Sequence, residues 1–200
     1  MSEWKRISNG ISRRIKWIAQ GCPKPEEPIE MVWPLALLDS PPEIRVTAGY
    51  TLRQYNTSDK EAHARLMTAA GMGYCSLKYW EQHILPDGFF LLESDRDHVV
   101  VAACFASHHH SARHPRAGNL GWLAVDPAYR GHGLGRTVAA AVTTRLIRAG
   151  YRDIYLDTQD FRLAAIKLYL SMGWQPMLYN DKMLDRWRAI YNKLDVPISF

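Results

Sequence analysis

Residues 120–150 read LGWLAVDPAYRGHGLGRTVAAAVTTRLIRAG, and the fold follows from how this stretch changes character along its length. The apolar run at 120–125 suits a buried strand, and Asp126-Pro127 ends it because proline has no N–H to give to a ladder. Further on, Leu134, Val138, Val142, Leu146 and Ala149 recur every three or four residues. That spacing predicts an amphipathic helix, with Gly150 as its C-terminal cap. Between strand and helix stand Arg130-Gly131-His132-Gly133-Leu134-Gly135-Arg136. Glycines at three of these positions let the backbone turn sharply and approach a ligand. The N–H groups of the first helical turn meanwhile point outward at the positive end of the helix dipole. Such a turn is an anion pocket suited to phosphate, and Arg130 and Arg136 flank it to add charge-assisted hydrogen bonds. A dinucleotide fingerprint fails on spacing, since the sixth position counted from Gly131 is Arg136, and the Gly-Lys-Ser/Thr of a Walker loop is absent.

Two hundred residues with 47% apolar content suit one domain and an appendage. No apolar run approaches the ~20 residues that span a bilayer, and the first residues lack a secretory h-region, so a soluble cytoplasmic protein is expected. Cys22, Cys75 and Cys104 form no CxxC pair and are odd in number, which predicts reduced thiols. The net charge of +5, from 25 Lys and Arg against 20 Asp and Glu, fits a ligand carrying several phosphates. No basic run exceeds Arg13-Arg14, so no nucleic-acid partner is expected.

Residues 1–43 read as an N-terminal extension. Trp4, Ile7, Ile11, Ile15 and Ile18 recur at helical spacing with basic residues between them, predicting a basic amphipathic helix that docks on its own domain or on a second subunit of a homodimer in preference to an anionic membrane. Residues 21–28 are rich in Pro and Glu, residues 31–38 are apolar enough to need burial, and Pro41-Pro42 marks the join. Within residues 44–200, the pattern predicts a strand at 50–55 and a helix ending at Ala70 with Ser58 and Glu61 as its capping box. A shorter helix over 77–84 precedes a turn at Pro86-Asp87-Gly88 and a hairpin of 89–93 with 99–106, where the unbroken run VVVAACFA implies burial on both faces. The strand at 153–157 follows the long helix and is therefore parallel to 120–125. A helix over 162–172, a strand at 174–178, a helix over 181–194 and a last edge at 196–200 complete the series.

The spacing Arg-x-x-Gly-x-Gly, here Arg130, Gly133 and Gly135 after a strand ending in Ala124-Val125-Asp126-Pro127, resembles the acyl-CoA pyrophosphate loop of the GNAT superfamily of N-acetyltransferases. Residues 162–174 are similar to that family's Asn-x-x-Ala-x-x-Leu-Tyr-x-x-x-Gly-Phe, matching at Ala165, Leu168, Tyr169 and Gly173 and departing at Arg162 and Trp174. From about residue 50 onward, the resemblance implies an α/β fold with a mixed central sheet, two splayed parallel strands and helices on both faces. It further implies that acetyl-CoA is the co-substrate. Loop amides of Gly131, His132, Gly133, Leu134 and Gly135 would hold the pyrophosphate, with the backbone of Leu123, Ala124 and Val125 paired to the pantetheine arm. Tyr169 inherits the role of protonating the leaving sulfur; Arg162 stands where the family has asparagine and is placed instead to reach a CoA phosphate. The reaction implied is direct acetyl transfer to the primary amine of a small molecule in a ternary complex; the alternatives are a protein or peptide acceptor, or a CoA-binding module without turnover.

Acyl transfer from a thioester to an amine needs a neutral amine near the carbonyl, donors for the developing oxyanion and a proton for the departing thiolate. The strand 120–125 carries no titratable side chain, which leaves Asp157, Glu93 or a water chain as candidates for the base. No cysteine lies in the loop or helix that resembles the family, so no covalent acyl-enzyme is expected. Trp80, Tyr79 and His83 fall where the family roofs its acceptor site, and either shape specificity or pack. His108-His109-His110 and His114, with Arg113 and Arg116 among them, read as a solvated loop, and no metal site is expected.

Overall fold

The computed structural model describes residues 27–72, 77–109 and 111–197. Strands β1 (Ile29–Val32) and β2 (Tyr50–Gln54) are followed by helices α1 (Lys60–Ala69) and α2 (Leu77–Trp80). Next come β3 (Ile84–Ser94), β4 (Val100–His108), β5 (Gly118–Val125), α3 (Leu134–Arg148) and β6 (Ile154–Thr158), then α4 (Leu163–Met172), β7 (Gln175–Pro176) and α5 (Asp181–Leu194). The strands make one sheet in the order β2-β3-β4-β5-β6-β1-β7. Neighbours are antiparallel except β5 and β6, so the sheet is mixed, as the sequence implied.

β4 explains why its sequence shows no alternation. Ala102, Cys104 and Ala106 enter a cluster with Val138, Val142 and Leu146 of α3, Tyr169 of α4 and Trp187 of α5. Ala103 and Phe105 enter a second cluster, on the other side, with Leu66 and Met67 of α1 and Leu77 of α2. A strand buried on both faces has no polar side to show.

Several expectations change, among them the short helix expected over 77–84, which ends at Trp80 while Ile84 already belongs to β3. Residues 29–32, placed in the extension from sequence, form a strand inside the sheet, with Ile29 and Met31 fully buried and paired to Thr158 and Leu156. The capping pair is Asn56 with Asp59 rather than Ser58 with Glu61. Asn56 Oδ1 accepts from Ser58 N–H, and the Asp59 carboxylate accepts from Asn56 N–H and from Arg53 in a fork at 2.8 Å. Pro86-Asp87-Gly88 does not reverse the chain but bulges out of β3, because Arg145 of α3 donates twice to Pro86 O and Gln54 to Asp87 O. The strand expected over 174–178 shrinks to Gln175–Pro176. The helix expected over 4–18 lies outside the described residues, as do residues 198–200 of the expected last edge; residues 196–197 belong to no element. Among the described residues no helix is long and apolar enough to cross a membrane.

His63 of α1 gives this core a pH response. It is 2% exposed, edge-on to Tyr55 and Phe89, and its Nε2 has no hydrogen-bond partner among the described residues. Burial lowers its pKa from 6.5 to about 4. The folded chain thus takes up this proton only near pH 4, whereas the unfolded chain takes it up near 6.5. Between those values the unfolded state binds more protons, and stability falls as pH falls, by on the order of 2–3 kcal/mol in all. Thermal melts from pH 7 to 4.5 should show the drop, and His63→Phe should flatten it; an equally steep profile in that variant would exclude His63 as the source.

Candidate active site

The parallel pair β5 and β6 is joined at one end only. Its register holds Gly118 against Ile154 and Asn119 against Tyr155, and stops there. Past Asn119, β5 keeps β4 on one edge, with Ala102 opposite Val125 and Ala103 opposite Ala124, while its other edge has no ladder partner among the described residues. A bulge sharpens the parting. Between Phe105↔Gly121 and Ala103↔Ala124, β5 has Trp122 and Leu123 where β4 has Cys104 alone, and Trp122 takes φ +54°. An aromatic residue in the left-handed region is strained and needs its surroundings to hold it there. Cys104 helps, its thiol donating to Gly121 O at 3.3 Å.

The glycine loop lies where β5 ends. Asp126 caps a short turn, Pro127–Tyr129, by accepting from Ala128 N–H, and the chain then passes through Gly131 at φ +88° and Gly133 at φ +75° into α3. Both angles belong to glycine. A side chain at 131 would meet nothing within 4 Å, so that face of the loop is open, whereas a Cβ added at Gly135 would meet the Leu168 and Val125 side chains at 3.3 Å. Among the described residues none of the backbone amides of Gly131, His132, Gly133, Leu134 and Gly135 donates a hydrogen bond. Five unengaged donors on one helix entrance suit a multiply charged anion such as a diphosphate. Arg130 is exposed beside them. Arg136 is committed elsewhere, its guanidinium donating to Ser171 O of α4 at 3.0 and 3.5 Å.

Two ionisable groups meet at the parted strands from different sides. Asp157 shares the face of β6 that carries Tyr155, whereas Tyr169 belongs to the cluster under α3. Asp157 is exposed, and desolvation by the neighbouring protein still raises its carboxyl pKa, with His109 and Arg162 opposing and Glu30 adding to the shift. Tyr169 is 5% exposed, and burial lifts its phenol above the ordinary range, Cys104 and Asp157 adding to the shift and Arg162 opposing it. Arg162 rests its Nη1 against Met72 Sδ at 2.8 Å. Burial likewise holds the Cys104 thiol above its usual range, so it stays protonated and a poor nucleophile.

Around Asp157, Tyr155 Oη is hydrogen-bonded to His109 Nδ1 at 2.7 Å, and the Trp80 ring lies 5.2 Å from His109 and 5.5 Å from Phe105. His83 accepts from His108 N–H through its carbonyl, pinning α2 to the end of β4; the Tyr79 side chain and His110 lie outside the described residues. Glu93 is not at the site. Its carboxylate takes Arg53 Nε at 2.8 Å and His98 at 3.1 Å, and the Arg53 bond holds it below the usual carboxylate range.

Within the histidine-rich loop, expected to be solvated, His114 is buried while His108, Arg113 and Arg116 are exposed. His114 is 3% exposed and stacks on Tyr155 at 4.1 Å, with Nδ1 2.9 Å from Asp153 and Nε2 3.5 Å from Glu30. Glu30 also takes Arg113 in a fork. Buried charge persists where it is paired. These partners come from β1 and the approach to β6, and no local signal around residue 114 could have named them.

A one-ended parallel pair, a bulged strand and a glycine loop with free amides make up the candidate site. The model of the acetyltransferase (GNAT) family matches residues 52–174, and the chain belongs to that family. A mycothiol acetyltransferase of Geodermatophilus obscurus is 27% identical over 158 residues, 73% of this chain and 51% of that protein. The chain thus spans about half the length of that relative. Among solved structures, a GCN5-related N-acetyltransferase from Sphaerobacter thermophilus superposes with a TM-score of 0.56 at 21% identity, over 82% of this chain and 52% of that one. An aminoglycoside N-acetyltransferase in complex with CoA superposes with a TM-score of 0.51 at 22% identity, over 64% and 89% of the two chains. At these identities the structures speak for the fold.

Proposed function

We propose that the protein transfers an acetyl group from acetyl-CoA to the primary amine of a small molecule, by direct attack in a ternary complex. The observation that carries this is the loop with five unengaged amides, set at the end of a β5 whose edge past Asn119 has no ladder partner among the described residues, with Asp157 in electrostatic range of Tyr169. The diphosphate of the coenzyme lies on amides 131–135 with Arg130 beside it, and the free edge of Leu123, Ala124 and Val125 pairs with the pantetheine amides. The thioester then lies at the bulge, between the two ionisable groups. Asp157 takes a proton from the incoming ammonium, leaving a neutral amine to attack the carbonyl. Tyr169, protonated at every physiological pH, passes its proton to the departing sulfur, and the proton that the nitrogen sheds as the amide forms returns to the Tyr169 phenolate. A small-molecule acceptor agrees with the names of the mycothiol and aminoglycoside acetyltransferases that the chain resembles.

Steady-state acetylation over a panel of amines and basic peptides, with acetyl-CoA as donor, tests this. Turnover of small amines supports it, turnover of peptides alone moves the acceptor class, and CoA binding without any turnover reduces the protein to a binding module. Asp157→Asn should lower kcat/KM roughly 100-fold at neutral pH. The deficit should narrow as pH rises, because more of the amine is already neutral. A variant with wild-type kcat/KM at pH 7 would remove Asp157 from the mechanism.

A further inference from the structure

The amides of the glycine loop are useful to a diphosphate only if their peptide planes are turned the right way, and glycine leaves those planes free to rotate. One of them is held by a residue outside the span matched by the family. The Thr47 hydroxyl donates to His132 O at 2.8 Å, across 85 positions of sequence. Thr47 is itself anchored at the start of the sheet, its carbonyl accepting from Tyr50 N–H, the first residue of β2. The segment leading to it lies along α3 and is fixed twice more, by Thr137 Oγ1 to Arg45 O at 2.6 Å and by Thr144 Oγ1 to Pro42 O at 3.3 Å. Residues 42–47 are therefore a strap that runs back along the helix and ends on the loop.

The peptide between His132 and Gly133 is trans, as all described peptides are, so its C=O and N–H point to opposite sides. With the oxygen turned to Thr47, the Gly133 N–H is turned away from the strap. We propose that Thr47 is a positioning residue for the coenzyme: it fixes this plane so that the Gly133 amide faces the diphosphate before the ligand arrives. Preorganisation of this kind raises affinity by sparing the ordering cost at binding. The inference rests on the assignment of the loop as the diphosphate site.

Thr47 is exposed and belongs to neither core cluster, so its replacement leaves the fold intact. Thr47→Val keeps the shape and removes the donor. A solvent-facing hydrogen bond of this type corresponds to about a three- to tenfold change in binding. Two ligands separate positioning from general damage. Coenzyme A carries the diphosphate, and S-acetylpantetheine lacks it; the first is measured by titration calorimetry and the second by competition against coenzyme A. Thr47→Val should weaken coenzyme A about three- to tenfold and leave S-acetylpantetheine unchanged, and Thr47→Ser should bind both as wild type does. Unchanged coenzyme A affinity in Thr47→Val, or a parallel loss for both ligands, overturns the proposal. If the wild-type protein itself binds coenzyme A no more tightly than S-acetylpantetheine, the loop assignment fails first and takes this inference with it.

Discussion

Tyr169→Phe is expected to lower kcat by roughly 10²–10⁴-fold while leaving the affinity for CoA unchanged. The phenol sits in the cluster beneath α3, shielded from water and within electrostatic range of Asp157, Arg162 and Cys104. Its raised pKa keeps the phenol protonated at physiological pH, so the proton is in place when the thiolate departs. Phenylalanine preserves the ring and its packing, including the contact with Trp174 at 6.2 Å, so the melting temperature should move little. Single-turnover kinetics with CoA titration separates the outcomes. A fall in binding matched to the fall in turnover would make Tyr169 a packing residue, and unchanged turnover would hand the proton to another donor.

Gly133→Glu should abolish measurable CoA binding, a loss of more than about 100-fold, in a protein that still folds. The backbone at 133 has φ +75°, which costs an L-residue about 1–2 kcal/mol. A carboxylate then stands at the mouth of an anion site, where like charges repel. The fold survives because the nearest atom to an added Cβ is Thr47 Oγ1 at 3.8 Å, so no core contact is displaced. Gly133→Ala adds the strain without the charge and should fall between the two. Calorimetry that finds the Glu variant binding as wild type would remove the loop from the coenzyme site.

The loop and its flanks were legible because their causes are local. Proline ends β5, the three-and-four spacing from Leu134 writes α3, and the clustered glycines mark the turn between them. Asp181–Leu194 was legible for the same reason, with Asn180 capping Met183 N–H. What escaped depends on partners far away in the chain. The four residues of β1 carry no period of their own and become a strand by pairing with β6 and β7. His114 is buried because Glu30 and Asp153 arrive to meet it, and Glu93 leaves the list of bases because Arg53 and His98 claim it. Thr47 reads as an ordinary polar residue until the fold brings His132 to it.

The position of β1 bears on how the protein can be handled. Lying between β6 and β7, it is the middle plank of that half of the sheet, and both neighbours hang on it through backbone bonds. Cutting the gene back to the 52–174 segment, or even to residue 44, would pull out that plank and strip Tyr155 and Asp157 of their backing. Any miniaturised version of this protein has to begin upstream of Ile29.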